Sequence, residues 1–512
     1  MIGSPWREYE FTLTSDVEYG NPYADVDVWA DFTHDSGVAL KRPAFWDGGR
    51  TWKIRFASPG LVGQWTWRSH CSTVDSGLAG QSGEIVCPAS ESGESPNRFY
   101  RHGFWRMSPG KRSLIHADGY PAILAGDTAW GLPWRATEEQ CRTYSADRRS
   151  KGFNATLMMS VQPDMEARGP RDRTADEGFE IGFEDLSSGH LRRLNPSYFQ
   201  YLDRLVSILV EHEIVPVFQP VFFGFGWKGK KVAGPVLPPE EYAAYCRYLV
   251  ARYGARPAIY LVGGDGSGYE PQVAAGGDEV ERWDAYHQPA GIHYRPHADN
   301  RACQDATWLD FQWCQTGHTG EHLPERVADM WRNTPIKAIA NGEPTYENGV
   351  RQGRAAGWWQ GHEAWSNLCA GGTMGVVYGA GSMWQWRLHG HEPGHFEYFL
   401  AEGAGWREAL DFEGSRYVGL VPRILEGLPM TDAEPNWQVA ISRRGLLVPH
   451  RLFVVYLSEG GELRLFTDEV PLHYRVVDPK TGTVISTGTR ANHDDQIPDT
   501  GDGPRVVIFC DD

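Results

Sequence analysis

The sequence predicts an α/β protein, a (β/α)8 TIM barrel flanked by an N-terminal β-sandwich and a small C-terminal β-sandwich domain. Three observations predict it. The chain has 512 residues, more than one hydrophobic core ordinarily supports, so two or three domains are expected. Its apolar pattern changes twice: both ends carry short runs of period two, and the middle alternates apolar strand-length runs with helix-length segments. The middle holds eight such strand runs, which suit a closed barrel better than an open sheet. The resulting borders are 1–96, 97–434 and 435–512.

In the first domain the alternating runs are Tyr9–Leu13, Val26–Ala30, Trp52–Phe56 and Gln64–Trp67, separated by turn residues such as Asp47-Gly48-Gly49 and Ser58-Pro59-Gly60. The polar stretch Ala89–Asn97 reads as a linker. Barrel strands are expected at Ala122–Ala125, Ala155–Met159, Val215–Phe218, Ile259–Val262, Gly291–Tyr294, Leu309–Trp313, Ala338–Ala340 and Gly375–Tyr378. Helix starts lie between them: Thr137 with Gln140 forms a capping-box signature, Asn195-Pro196 supplies an N-cap and a first-turn proline, and Pro238-Pro239-Glu240-Glu241 opens another helix. Period two returns in Arg451–Tyr456, Leu463–Phe466 and Arg505–Phe509, the expected strands of the last domain.

Two strand runs end in the same way. Ala258–Asp265 and Ile336–Glu343 each deliver one carboxylate among glycines, and after strands four and seven of a barrel both acids would reach the catalytic, C-terminal face. Cleaving a glycosidic bond needs such a pair, one carboxyl to protonate the leaving oxygen and one to attack or stabilise the developing cation. Asp265 is therefore the expected acid/base and Glu343 the expected nucleophile. Glu270 and Glu347 are spare acids further into the loops. Gly263–Gly268 superficially resembles a phosphate loop but lacks the Lys-Ser/Thr ending.

Leu124-Ala125-Gly126-Asp127-Thr128-Ala129-Trp130-Gly131-Leu132, Val262-Gly263-Gly264-Asp265 and Asn341-Gly342-Glu343-Pro344-Thr345-Tyr346-Glu347 together resemble the apiosidase-like glycoside hydrolases, family 140. The N-terminal motifs Asn21-Pro22-Tyr23, Phe45-Trp46-Asp47-Gly48 and Gly63-Gln64-Trp65 are similar to the immunoglobulin-like module that often precedes such barrels, and Asp478-Pro479-Lys480-Thr481-Gly482 resembles the small β domain that follows them. The wider clan usually ends strand four in Asn-Glu, whereas this chain has Gly264-Asp265. The resemblance implies a retaining mechanism and a pentofuranoside-type substrate. Retention corresponds to carboxyls about 5–5.5 Å apart, which the shorter Asp265 widens by about an ångström.

Twenty-one tryptophans fit sugar binding, since indole faces match the apolar faces of sugars. Trp130 and Trp384 are the expected platforms; Asp127, His293, Gln312 and His318 are the expected readers of hydroxyls, each at or just past a strand end. The loops after strands two and eight are long enough to close a pocket around a terminal sugar, which favours exo action.

A net charge of −17 argues against nucleic acid or an anionic membrane as partner, because both require a basic face. No apolar run approaches the roughly 20 residues of a membrane span, and the first residues show no secretory pattern. The eight scattered cysteines read as free thiols of a cytoplasmic protein, with a Cys71–Cys87 pair as the alternative. No cofactor is called for, the partner is a carbohydrate substrate, and self-association is left open. Two rival functions remain: a barrel that binds carbohydrate without catalysis, and a metal-dependent hydrolase using His389, His391 and His395. That histidine loop has Gly and Pro in place of a helix or strand to fix its imidazoles, so no metal is expected.

Overall fold

The protein is described from a computed structural model covering residues 4–88, 95–165, 181–224, 231–316, 324–349, 357–384, 386–390, 403–437, 444–465, 467–493, 496–497 and 499–511. At its centre are eight parallel strands: one, Leu124–Thr128; two, Ala155–Met159; three, Val215–Gln219; four, Ile259–Gly266; five, Ala290–Tyr294; six, Phe311–Gln315; seven, Ala338–Glu343; and eight, Gly375–Tyr378. Strand one pairs with strand two on one side and strand eight on the other, from Leu124 opposite Gly375 to Asp127 opposite Tyr378. Met374 N–H donates to Ile339 O at 3.3 Å between the starts of strands eight and seven, so the barrel is nearly closed.

Helices alternate with the strands and form where the caps predict. The Thr137 Oγ1 and Gln140 side chains bond each other's backbone N–H at 3.1 Å, opening Glu138–Lys151. Asn195 caps Pro196–Glu211, and the next helix is Pro239–Tyr253. Because successive strand residues face opposite ways, Leu157, Val217, Leu261, Phe311 and Trp313 fill the barrel while Met158, Phe218, Tyr260 and Ile292 pack outward on the helices. Three short strands, Trp105–Met107, Leu114–His116 and Pro121–Ala122, precede the barrel, and Trp105 and Leu114 join its interior cluster.

The N-terminal β structure has six antiparallel strands, Tyr9–Thr14, Val28–His34, Ala39–Gly48, Thr51–Phe56, Gly63–Cys71 and Ser82–Cys87, in the spatial order first, fourth, third, second, fifth, sixth. Phe32 and Phe56 stack at 4.2 Å in its core. It rests on the barrel helices through an ion network. Arg55 and Arg252 both grip Asp203, Arg252 also reaches Asp47 at 2.9 Å, and Arg256 holds Glu8. A second antiparallel sheet, Glu434–Asn436, Arg444–Val448, Leu452–Leu457, Arg505–Cys510, His473–Asp478 and Thr483–Thr489, follows the barrel. The expected strand at 463–466 forms isolated bridges in place of a continuous strand, at Leu463 with Ile497 and at Leu465; Phe466 lies outside the described residues. All eight cysteines are free, Cys71 and Cys87 included. Among the described residues no helix is long and apolar enough to cross a membrane.

Candidate active site

Two local irregularities bring the acids together. Strand four shifts register against strand five twice, between Leu261 and Gly263 and again between Gly264 and Gly266, and Asp265 between them has φ +61°. That left-handed conformation is uncommon outside glycine and re-aims the side chain at the mouth of the barrel. Strand seven slips once against strand six, so that Asn341 pairs with Cys314 but Glu343 with Gln315. Glu343 is thereby turned inward. One side-chain ligand atom from each of Asp265, His293 and Glu343 lies within 4.8 Å of the other two.

The surroundings of the pair are polar and asymmetric. Glu343 is 3 % exposed; Tyr346 OH donates to its Oε1, Trp384 hydrogen-bonds its carboxylate, and His293 Nε2 stands 3.5 Å from Oε2. Trp130 Nε1 in turn donates to Tyr346 OH at 3.1 Å, and its ring stacks on His293 with centroids 5.7 Å apart. Asp265 accepts from Gln315 Nε2. Burial pushes the Asp265 carboxyl up to about 7, with the Gln315 bond acting the other way. Burial and the charge of Asp265 also raise Glu343, opposed by Tyr346 and Trp384. Two negative charges this close cannot both be favoured, so the pair holds one proton in the neutral range. Glu343 has two donors opposing that rise, Tyr346 and Trp384, whereas Asp265 has Gln315.

The expected sugar-contact residues divide. His293 and Trp384 reach the acids. Trp130 reaches them too, but it is 1 % exposed with one face on His293, so it holds Tyr346 rather than offering an open platform. Asp127 and Gln312 face away from the mouth, a correction set by the strand pleat. Asp127 is fully buried against the helix Glu138–Lys151, accepting from Arg148 Nε at 2.5 Å. Gln312 Nε2 donates to Tyr294 OH at 2.8 Å and to Asn300 O at 3.2 Å on the outward side. His318, His391 and His395 lie outside the described residues.

The spare acids have structural partners. Glu270 accepts from Ser267 N, Ser267 Oγ and Gly268 N at 2.8–2.9 Å, while Glu347 accepts from Tyr378 OH at 2.6 Å and from Gly414 N. Sequence reasoning missed Gln315 and Tyr346. Gln315 was findable, since Phe311, Trp313 and Gln315 share one face by period two. Tyr346 lies beyond the strand, where no periodicity applies.

A parallel barrel with two acids meeting at the ends of strands four and seven suits the two-carboxylate chemistry of barrel glycoside hydrolases. Residues 108–432 match the family described as "Apiosidase-like, catalytic domain". The chain belongs to that family and is a glycosidase. Residues 4–72 match a domain of unknown function, DUF5060. Among solved structures, a putative glycoside hydrolase from Bacteroides vulgatus ATCC 8482 is similar over the full length of both chains, with TM-score 0.72 and 18% identity. A family 5 glycoside hydrolase from the same organism has TM-score 0.65 and 19% identity, over 80% of this chain and 94% of that one. A third, titled "Glycoside hydrolase", has TM-score 0.67 and 19% identity over 80% and 98%. At these identities the likeness is one of fold. No curated protein matches the sequence.

Proposed function

We propose that the protein is an exo-acting, anomer-retaining glycosidase that releases a terminal furanosidic sugar from oligosaccharides or glycosides. The observation that carries the mechanism is the approach of an Asp265 oxygen to within 4.8 Å of a Glu343 oxygen. Retaining enzymes keep their carboxyls about 5–5.5 Å apart, and inverting ones need about 6.5–9.5 Å to admit a water. Asp265 gives its proton to the leaving oxygen as a Glu343 oxygen bonds the anomeric carbon. A water then attacks that carbon, Asp265 takes its proton, and Glu343 is released.

The buried setting of Glu343 supports a closed pocket over an open groove, and the family supports a furanoside. We place the domain borders at 1–96, 97–434 and 435–512 and read the first domain as immunoglobulin-like. A panel of aryl furanosides and pyranosides tests the reading, with proton NMR of the first-formed anomer on the best substrate. Turnover of a furanoside with retention is expected. Internal cleavage of a polymer would sink exo action, and an inverted anomer would make water the attacking group. A metal-dependent reading has one observation in its favour, the convergence of Asp265, His293 and Glu343. Loss of turnover in chelator, restored by a divalent ion, would establish it instead.

A further inference from the structure

We propose that Gln219 is a sugar-binding residue of this pocket, its amide hydrogen-bonding the hydroxyl next to the anomeric carbon. The proposal rests on the glycosidase reading above. Gln219 ends strand three, where Val215, Val217 and Gln219 share the face that fills the barrel. It is fully buried, and among the described residues neither its Nε2 nor its Oε1 has a hydrogen-bond partner. Buried amides are almost always paired, so an unpaired one at the catalytic end of a barrel strand points to a ligand.

A second observation comes from Gly264. A Cβ there would lie 2.0 Å from Gln219 Cδ and 2.1 Å from its Oε1. No left-handed backbone demands glycine at this position; the missing side chain makes room for the amide. Gly264 immediately precedes Asp265 and pairs with His293, which itself faces Glu343. The Gln219 amide thus stands against strand four at the residue just before the acid, and that residue in turn pairs with the histidine beside Glu343. The two acids bracket the anomeric carbon, so the sugar atoms nearest this amide are those next to it. An amide offers one donor and one acceptor side by side, which suits a hydroxyl that both gives and takes a hydrogen bond. A bond to the hydroxyl beside the reacting carbon also strengthens as the transition state forms.

The test compares kcat/KM for the best aryl glycoside of the panel with that for its 2-deoxy counterpart. The wild type should prefer the parent glycoside by about tenfold or more, as a site built to bond a hydroxyl does. Gln219→Met should lose about tenfold on the parent and little on the deoxy compound, collapsing the preference. Its Tm should hold or rise, because an unpaired buried amide gives way to an apolar chain of similar length. Gly264→Ala, whose methyl displaces the amide, should collapse the same preference and serves if Gln219→Met fails to fold. Equal losses on both substrates, or an unchanged preference, overturn the proposal and leave the glycosidase reading standing. A wild type inactive on the whole panel defeats both.

Discussion

Asp203, beneath the N-terminal domain, and Glu343, at the mouth of the barrel, are both largely buried carboxylates in opposite settings. Arg55 and Arg252 clamp Asp203 at 2.6–3.3 Å, and despite burial their charges hold its carboxyl well below the usual range. Glu343 meets another acid and no arginine among its described partners; burial and Asp265 raise it. The first arrangement satisfies a charge and fastens two domains. The second leaves charge poorly compensated, which is unfavourable for folding and useful for moving a proton.

The largest way to sharpen this contrast is to remove the proposed nucleophile. Glu343→Gln should lower kcat by about 10⁴-fold or more on any glycoside, as expected when a group that forms a covalent bond is lost, while circular dichroism stays that of the wild type. Near-normal hydrolysis would remove Glu343 from the mechanism.

Asp203→Ala should do the reverse. Taking one partner from a buried ion cluster leaves Arg252 and Arg55 with charge unmatched, so stability should fall by about 3 kcal/mol, partly offset by Asp47. Turnover by the folded protein at low temperature should remain within about twofold. A normal melting curve would show that the network does not hold the domains together.

Asp265→Asn probes proton transfer. Turnover of glycosides with poor leaving groups should fall by about 10²-fold or more, and activated aryl glycosides should be partly spared because they need little protonation. In the wild type, kcat/KM should decline as pH rises through about 7, where Asp265 loses its proton. Equal loss on both kinds of leaving group would reassign the acid.

Much of this arrangement was legible in the sequence. The eight strand runs are found within a few residues of their expected places, because apolar, β-branched runs bounded by glycine carry their own signal. The acids were legible for the same reason, each sitting where an apolar strand stops. The orientation of polar residues within strands was harder. Asp127 and Gln312 face outward to Arg148 and Tyr294, a direction set by the pleat and by partners far away in sequence. Glu343 faces inward only because strand seven slips against strand six, and no local pattern announces a bulge. The Trp130–Tyr346–Glu343 chain joins strand one to the loop after strand seven, so it exists only once the barrel closes.

That chain gives a smaller test. Tyr346→Phe removes one donor to Glu343, so kcat/KM should drop by about tenfold and the acidic limb of its pH profile should move upward, since the ionised form has lost support. A lower rate with an unmoved limb would assign Tyr346 to packing alone.

The smallest expected effect concerns stability, and its sign separates Asp265 from Asp203. Asp265 has its folded pKa raised from 3.8 to about 7, so between those values the folded protein holds more protons than the unfolded chain. Stability must then fall as pH rises across that window, the reverse of the Asp203 case, whose depressed value gives stability that is present above 3.8 and lost on acidification. Asp265→Asn removes the cost of ionising this site and relieves Glu343 of a repelling neighbour. Asparagine also tolerates the φ of +61° at this position, so the backbone pays no new strain. The variant should melt with the wild type near about pH 4 and about 2 °C above it near about pH 7.5, whereas Asp203→Asn should melt below the wild type at the higher pH and approach it in acid. Two melting series across that range decide the matter: an Asp265→Asn variant that melts lower than the wild type at neutral pH would mean that the carboxylate is stabilised in place, and that the proton it is asked to deliver is not held there.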